Sequence, residues 1–268
     1  FTVGDFFIYG ITSLICIIFI LPFVYVISIS LTDPEVYVPF RLYLFPKKLS
    51  LETYEYILSN SAFITSLKNT LIVTIVGTVL CIFTTYTFAF VLTRRGMPFH
   101  KVFMGMVVFT LMFHPGIIPD YMLVKSIGLM NSRWALILPS LTNAWSLEVA
   151  KSFMDSIPYS NDEAAMLEGA SYFYIFRKLI IPLLKPAIAT IIIIRGVGIY
   201  NDFYTPFLYA PGEEMGTLAT SLYKFMGPYG GQWNVICAGV ILIMIPTLIV
   251  FLALQKYIYN GFTAGAVK

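Results

Sequence analysis

The sequence predicts an all-α membrane protein with six transmembrane helices. Composition carries most of that prediction: of 268 residues, 58% are hydrophobic and only 12% are charged, against roughly 25% charged in an average soluble domain. Length supplies the rest, because a bilayer-spanning helix takes about 20 apolar residues and half of this chain provides about six of them. The balance of 17 Lys and Arg against 14 Asp and Glu is too even for the basic face that nucleic acid requires. So apolar a chain is also the opposite of a disordered one, and an ordinary cytosolic enzyme is excluded on the same grounds.

The first span is placed at Phe6 to Ser30, a run of 25 uncharged residues. No basic segment or small-residue cleavage site precedes it, so it is expected to persist rather than be removed as a signal peptide. With the outer loop that follows, it makes up residues 1–65. The next spans are placed at Asn69 to Leu92, Val102 to Val124, Trp134 to Phe153, Pro186 to Tyr209 and Asn234 to Tyr257. The third contains His114, Pro115 and Pro119, and the fourth contains Pro139 and Glu148. Both are expected to be kinked or broken, since proline frees backbone groups that the bundle must satisfy again. After Tyr257 the chain is too polar and glycine-containing to continue the helix, so residues 259–268 are expected to form a tail. The connection after the second span holds Arg94, Arg95 and Lys101 without an acid. Short Lys- and Arg-rich loops stay inside, which puts that loop, the connection between spans four and five, and both termini in the cytoplasm.

The connection between spans four and five is the most informative stretch. Ser160 followed by Glu163 has the spacing of a capping box, with the hydroxyl on the Glu163 amide and the carboxylate on the Ser160 amide. Asn161 and Asp162 suit the first turn of a helix, and Gly169 can take the left-handed conformation that ends one. A helix this short is marginal alone. Ala164, Ala165, Met166 and Leu167 give it a small apolar surface suited to a partner's groove, or to lying against its own bundle or the membrane.

Glu163-Ala164-Ala165, Gly169 six residues after the glutamate, and Leu179-Ile180-Ile181-Pro182 resemble the EAA loop of permease subunits of bacterial ABC importers. That motif reads E-A-A, three residues, G, nine residues, I-x-L-P; here Leu179 and Ile181 stand at the two aliphatic positions. The segments Gly128 to Pro139, Tyr200-Asn201-Asp202-Phe203 and Gly261 to Lys268 resemble the MalG-type carbohydrate permeases. The likeness covers about Ser66 to Lys268 and, more loosely, the first span. It implies a type I ABC importer permease fold: a core over residues 66–258, an EAA coupling loop at 155–182 and a cytoplasmic tail.

It further implies a binding-protein-dependent sugar or oligosaccharide importer in a bacterial inner or plasma membrane. The partners would be a homologous second permease, two ATP-binding subunits and an extracellular or periplasmic solute-binding protein. In that arrangement Glu163, Ala164, Ala165, Met166, Leu167, Gly169 and Pro182 form the coupling joint to the ATPase. The glycine- and proline-rich outer connection from Ala210 to Trp233 would reach the binding protein through Thr217, Tyr223, Phe225 and Tyr229.

Ionisable residues inside a span point to function, because burying them is costly unless they are paired or face a cavity. Glu148, Arg195 and Asp202 are of this kind. One reading is a charge pair that pins helices, Arg195 meeting Glu148. The other is a polar wall of the substrate path, formed with Asn143, Trp145, Tyr200, Asn201 and Tyr204, where hydroxyls find hydrogen bonds and sugar rings stack on aromatics. His114 is expected to be a packing hydrogen-bonder and His100 to be solvated. Cys16, Cys81 and Cys237 lie in separate apolar runs without metal or redox spacing.

The sequence contains no G-x-x-x-x-G-K-[ST] loop to cradle phosphates and no plausible Ser-His-Asp set. The chain is therefore expected to be a non-catalytic subunit with no cofactor of its own, ATP and Mg being bound by the partner ATPase. Rival readings are an ABC permease for a peptide or lipid-linked solute and a self-powered secondary transporter.

Overall fold

Apolar segments without charge leave the backbone no partner in a membrane but itself, so they fold as helices. The structure, a computed structural model, describes residues 3–39, 41–94, 97–226 and 231–266, the backbone alone at 3, 6 and 257–266. Among the described residues there is no strand, only an isolated bridge between Thr32 and Leu49.

The elements follow in order: α1 (Val3–Ser30), α2 (Glu52–Ser59), α3 (Ser61–Thr93), α4 (His100–Met112), α5 (Ile117–Ser126), α6 (Arg133–Ile137), α7 (Ala144–Asp155) and α8 (Ser160–Leu167). Then come α9 (Tyr172–Leu183), α10 (Lys185–Tyr200), α11 (Tyr204–Tyr209), α12 (Leu218–Lys224) and α13 (Trp233–Ala266). By length and composition α1, α3 and α13 each suffice to cross a membrane. The pair α4 and α5, bent by 119°, and the pair α9 and α10, bent by 77°, bring the number to five if each is one span.

The fourth expected span is broken as its proline foretells, divided into α6, a 3-10 turn at Leu138–Ser140 carrying Pro139, and α7. Three departures from the sequence reading have physical causes. The fifth ends at Tyr200 instead of Tyr209: Asn201 donates to the Val197 carbonyl at 3.0 Å, and Asp202 Oδ1 accepts from the Thr205 amide at 3.2 Å. These side chains satisfy the backbone at a break between α10 and α11. The tail does not leave the helix, since α13 runs on to Ala266; extending an existing helix avoids the cost of nucleation, which outweighs about 1 kcal/mol for each glycine. His100 is half-buried, a ring nitrogen 3.0 Å from the Leu92 carbonyl at the end of α3.

The chain divides into two compact units, residues 1–65 with 218–247, and residues 66–217 with 248–268. In the first, Ile29, Tyr43 and Cys237 form a small core edged by Tyr25, Val26 and Tyr37. Beside it Asp33 pairs with Lys48 at 2.6 Å and accepts from the Glu35 amide at 2.9 Å.

The second unit holds two larger cores. One gathers Tyr86, Phe90, Leu92, Met154, Ile175, Ile180 and Ile191, and the other Val73, Val124, Leu136, Ile137 and Tyr209. Small residues let α3 and α10 approach: a Cβ on Gly77 would lie 3.1 Å from Ser140 Oγ and 3.4 Å from Ile199 Cδ1. Close packing over small residues is the ordinary way for helices to associate in lipid.

Candidate functional site

Two features of the second unit stand out, a short amphipathic helix at one end and a cavity within the bundle. They are related by α3. Asn69 near its start donates to the carbonyls of Glu214 (2.7 Å) and Gly216 (3.2 Å), and its Oδ1 accepts from Arg133 at 3.1 and 3.2 Å. Just past its end, Arg94 contacts α8. At 1.5 Å per residue these points lie about 38 Å apart along the helix, more than the roughly 30 Å of a hydrocarbon core. The loop at 213–216 and α8 therefore sit at opposite ends of the bundle.

The start of α8 differs from the expected capping box. Ser160 is the first residue of the helix rather than its cap, and the Glu163 amide donates to the Tyr159 carbonyl at 3.1 Å, with no side-chain cap bond present. Tyr159 is already in helical conformation, turned by the preceding Pro158, so the Ser160 hydroxyl has lost the geometry that capping needs. The end of α8 is a Schellman motif. Gly169 has φ +82°, the Ala170 amide donates to Ala165 at 3.0 Å and the Gly169 amide to Met166 at 2.9 Å, which satisfies two orphan carbonyls.

The two faces of α8 have different fates. Asp162 is fully buried, and Ala165 and Met166, both half-buried, pack on the core of Phe90, Met154 and Ile175. Glu163 and Ala164 are exposed, as is Leu167 at 90%. Leu167 is thus held out by a helix whose opposite face is buried. Pro182, in α9 after a π-helical turn at Ile175–Ile180, is exposed too.

Asp162 is held by Arg94, Nε to Oδ2 at 2.5 Å, with side chains 9% and 0% exposed for Arg94 and Asp162. The guanidinium also lies 4.6 Å from the centroid of Phe90, whose ring packs 5.1 Å from that of Phe176. Burial pushes the Asp162 carboxyl above its ordinary range, and the charge and hydrogen bond of Arg94 pull it back in part. The ion pair thus pins α8 to the end of α3, and the tilted ring pair joins α3 to α9.

The cavity has a volume of about 780 Å³ and is lined from α3, α4, the break around Leu138–Ser140, α7 and α10. Of the residues read from the sequence as a polar wall, it brings together Asn143 and Arg195. Asn143 caps α7, its Oδ1 accepting from the Ser146 amide at 2.8 Å. Arg195 donates to the Ser140 carbonyl at 3.1 Å, while Thr84 Oγ1 donates to the Leu141 carbonyl at 2.7 Å. Broken backbone at membrane depth needs such partners.

Trp145, Glu148, Tyr200, Asn201, Asp202 and Tyr204 do not line this cavity. Tyr200 is buried, Trp145 and Tyr204 are exposed, and Asn201 and Asp202 serve the helix break. Arg195 makes no ion pair with Glu148; the three ion pairs among the described residues lie elsewhere. Unforeseen wall residues are Thr84, Thr85, Thr110 and Thr142, the aromatic rings of Phe88, Phe103 and Phe113, and His114. His114 accepts from the Gly116 amide at 3.1 Å. Hydroxyls recurring on α3 and α4 amid apolar neighbours were the available signal.

Of the residues assigned to binding-protein contact, Thr217 is buried at 5% exposure, so it offers no such surface, whereas Tyr223 is exposed and Phe225 half-buried. Tyr229 lies outside the described residues.

Known proteins supply an independent comparison. The family described as "Binding-protein-dependent transport system inner membrane component" matches residues 82–263. The chain is 32% identical to Protein LplC of Bacillus subtilis (strain 168), over 93% of this chain and 89% of that protein. It is 33% identical to the polygalacturonan/rhamnogalacturonan transport system permease protein YtcP of the same organism, over 98% of each. Among solved structures, a chain of a bacterial ABC transporter involved in the import of the acidic polysaccharide alginate superposes with a TM-score of 0.87 at 25% identity, covering 96% of this chain and 99% of that one.

Proposed function

Because the chain belongs to the binding-protein-dependent transport system inner membrane component family, we propose that it is the transmembrane permease subunit of an ATP-driven importer of sugars or oligosaccharides. It is a translocation subunit and not an enzyme. The observation that carries the coupling role is α8, a helix locked to the bundle on one face and presenting Glu163, Ala164 and Leu167 on the other. Relatives named for saccharide transport support the cargo class.

The mechanism follows from rigidity. Two ATP-binding subunits hold ATP and Mg, and their closure moves a groove in which the outer face of α8 sits. Since Asp162 and Arg94 tie α8 to α3, and α9 continues from it into α10, displacement of α8 carries those helices with it. The bundle, paired with a homologous second permease, then changes which side of the membrane its cavity faces. Sugar arrives from a solute-binding protein at the end of this unit opposite α8, where Asn69 and Arg133 brace the loop at 213–216; in the other unit, Tyr223 and Phe225 are the candidate contacts with that protein. Asn143 and the wall threonines supply hydrogen bonds to hydroxyls, and the rings of Phe88, Phe103 and Phe113 supply stacking faces. In this arrangement α8 and both termini are cytoplasmic, in a bacterial inner or plasma membrane.

The test is to purify the chain with its native associates and reconstitute the complex with its binding protein. A panel of oligosaccharides is then scored for stimulation of ATP hydrolysis. Stimulation by at least one saccharide is expected; stimulation by peptides and by none of the saccharides would contradict the reading.

A further inference from the structure

Arg195 is the one fixed charge among the residues that line the cavity. It sits ten residues into α10, about 15 Å from the first residue of that helix. Of the five N–H donors that a guanidinium carries, one is used on the Ser140 carbonyl, and Nε is buried without a hydrogen-bond partner. No carboxylate lines the cavity. Of the two acids read from the sequence as lying within spans, Asp202 accepts from the Thr205 amide at the start of α11, and Glu148 is not among the wall residues. Bracing the broken backbone does not require a cation, since Thr84 does the same service for Leu141 with a hydroxyl. A permanent charge in a bundle interior is costly unless something answers it. Hydroxyls alone would be met by the threonines and Asn143.

We propose that Arg195 makes this cavity selective for anionic oligosaccharides, the free edge of its guanidinium binding a uronate carboxylate while threonine hydroxyls and phenylalanine rings hold the sugar. The proposal rests on the sugar-import reading and sharpens its substrate class. Carboxylate and guanidinium match as a two-point fork, and the charges cancel where water is scarce. A neutral sugar leaves Arg195 uncompensated in transit, so the cavity discriminates against it by the same physics. Asn143 and Thr110 then set the ring on the wall while Arg195 holds a carboxylate.

The complete importer, reconstituted in proteoliposomes with its binding protein, tests this with two probes of matched length, trigalacturonate and neutral galactotriose. Uptake of trigalacturonate is expected to exceed that of galactotriose. Arg195→Gln is expected to lower trigalacturonate uptake at least about tenfold, the scale of one lost charge-assisted hydrogen bond. Arg195→Lys, which keeps the charge and loses the fork, should fall between wild type and Arg195→Gln, and the binding protein's own affinity should not move. Equal losses for both sugars in Arg195→Gln, or wild-type uptake of galactotriose only, would overturn the proposal while leaving sugar import standing. Uptake of neither saccharide alongside uptake of a peptide would instead remove the sugar-import reading. If Arg195→Gln fails to assemble, the wild-type preference and the Lys variant still decide.

Discussion

Replacing Arg94 by Met should unlock α8 without touching any residue that α8 presents outward. The side chain of Arg94 is 9% exposed and that of Asp162 is 0% exposed, so the substitution leaves a buried carboxylate with no counter-charge. Breaking one side of a buried pair costs about 3–5 kcal/mol. An eight-residue helix has no stability of its own to absorb that. The cost therefore falls on the docked state of α8, whose opening equilibrium should rise by about two to three and a half orders of magnitude at 1.4 kcal/mol per decade. Asp162→Leu added to Arg94→Met removes the orphaned charge, and replacing a buried pair by apolar side chains is often neutral or stabilising. Amide hydrogen exchange reads this directly. Protection of residues 160–168 should collapse in the single variant and return largely in the double variant, while the amides of α3 barely change. ATP hydrolysis in the single variant should lose its dependence on substrate. If Arg94→Met changes protection of α8 by less than about threefold, or if the double variant is as open as the single one, the ion pair does not hold the helix and the rigid-joint argument fails.

Four further outcomes follow. Gly169→Ala places a Cβ in open space but at φ +82°, so its cost is backbone strain of about 1–2 kcal/mol, expected as reduced coupling with normal membrane insertion. Asn69→Ala strands two carbonyls of the 213–216 loop and the Arg133 guanidinium, and should lower thermal stability by about 1–3 kcal/mol. The Asp33 carboxyl is held below its ordinary range by the hydrogen bond from Lys48 and then by the Glu35 amide. Its stabilisation is thus present above pH 3.8 and is lost as pH falls through its lowered value, a loss absent from Asp33→Asn in acid titrations of the loop at 31–50. Asp162 has the opposite sign: its carboxyl is raised, by burial first. Neutralising it therefore favours the folded form, and the exchange penalty of Arg94→Met should shrink as pH falls through that raised value.

The three unbroken spans were legible because long charge-free runs admit one solution in lipid. So were the breaks near Pro115 and Pro139, since proline removes a donor whatever surrounds it. Gly169 was legible as a helix end for a similarly local reason. What was hidden is long-range. Nothing in the sequence around Arg94 says that it meets Asp162, and the Ser160 pattern drew attention to a cap that Pro158 and Tyr159 pre-empt. Asn201 and Asp202 looked like pathway residues because polar groups in a span must do something; here they satisfy backbone freed at the end of α10. Conversely the cavity wall was missed at Thr84, Thr85 and Thr110, whose hydroxyls are mild enough to pass as ordinary helix residues.

The face of α8 provides the most direct test of the central claim. With Cys16, the exposed native cysteine, replaced by Ser, single cysteines are introduced at Leu167 and Met166 in the complex purified with its native associates. Cross-linking to an ATP-binding subunit is expected from Leu167→Cys, whose position is 90% exposed, and not from Met166→Cys, which packs on the bundle's own core. Cross-linking from neither position, or equally from both, would contradict an account in which α8 is the joint between this chain and an ATPase.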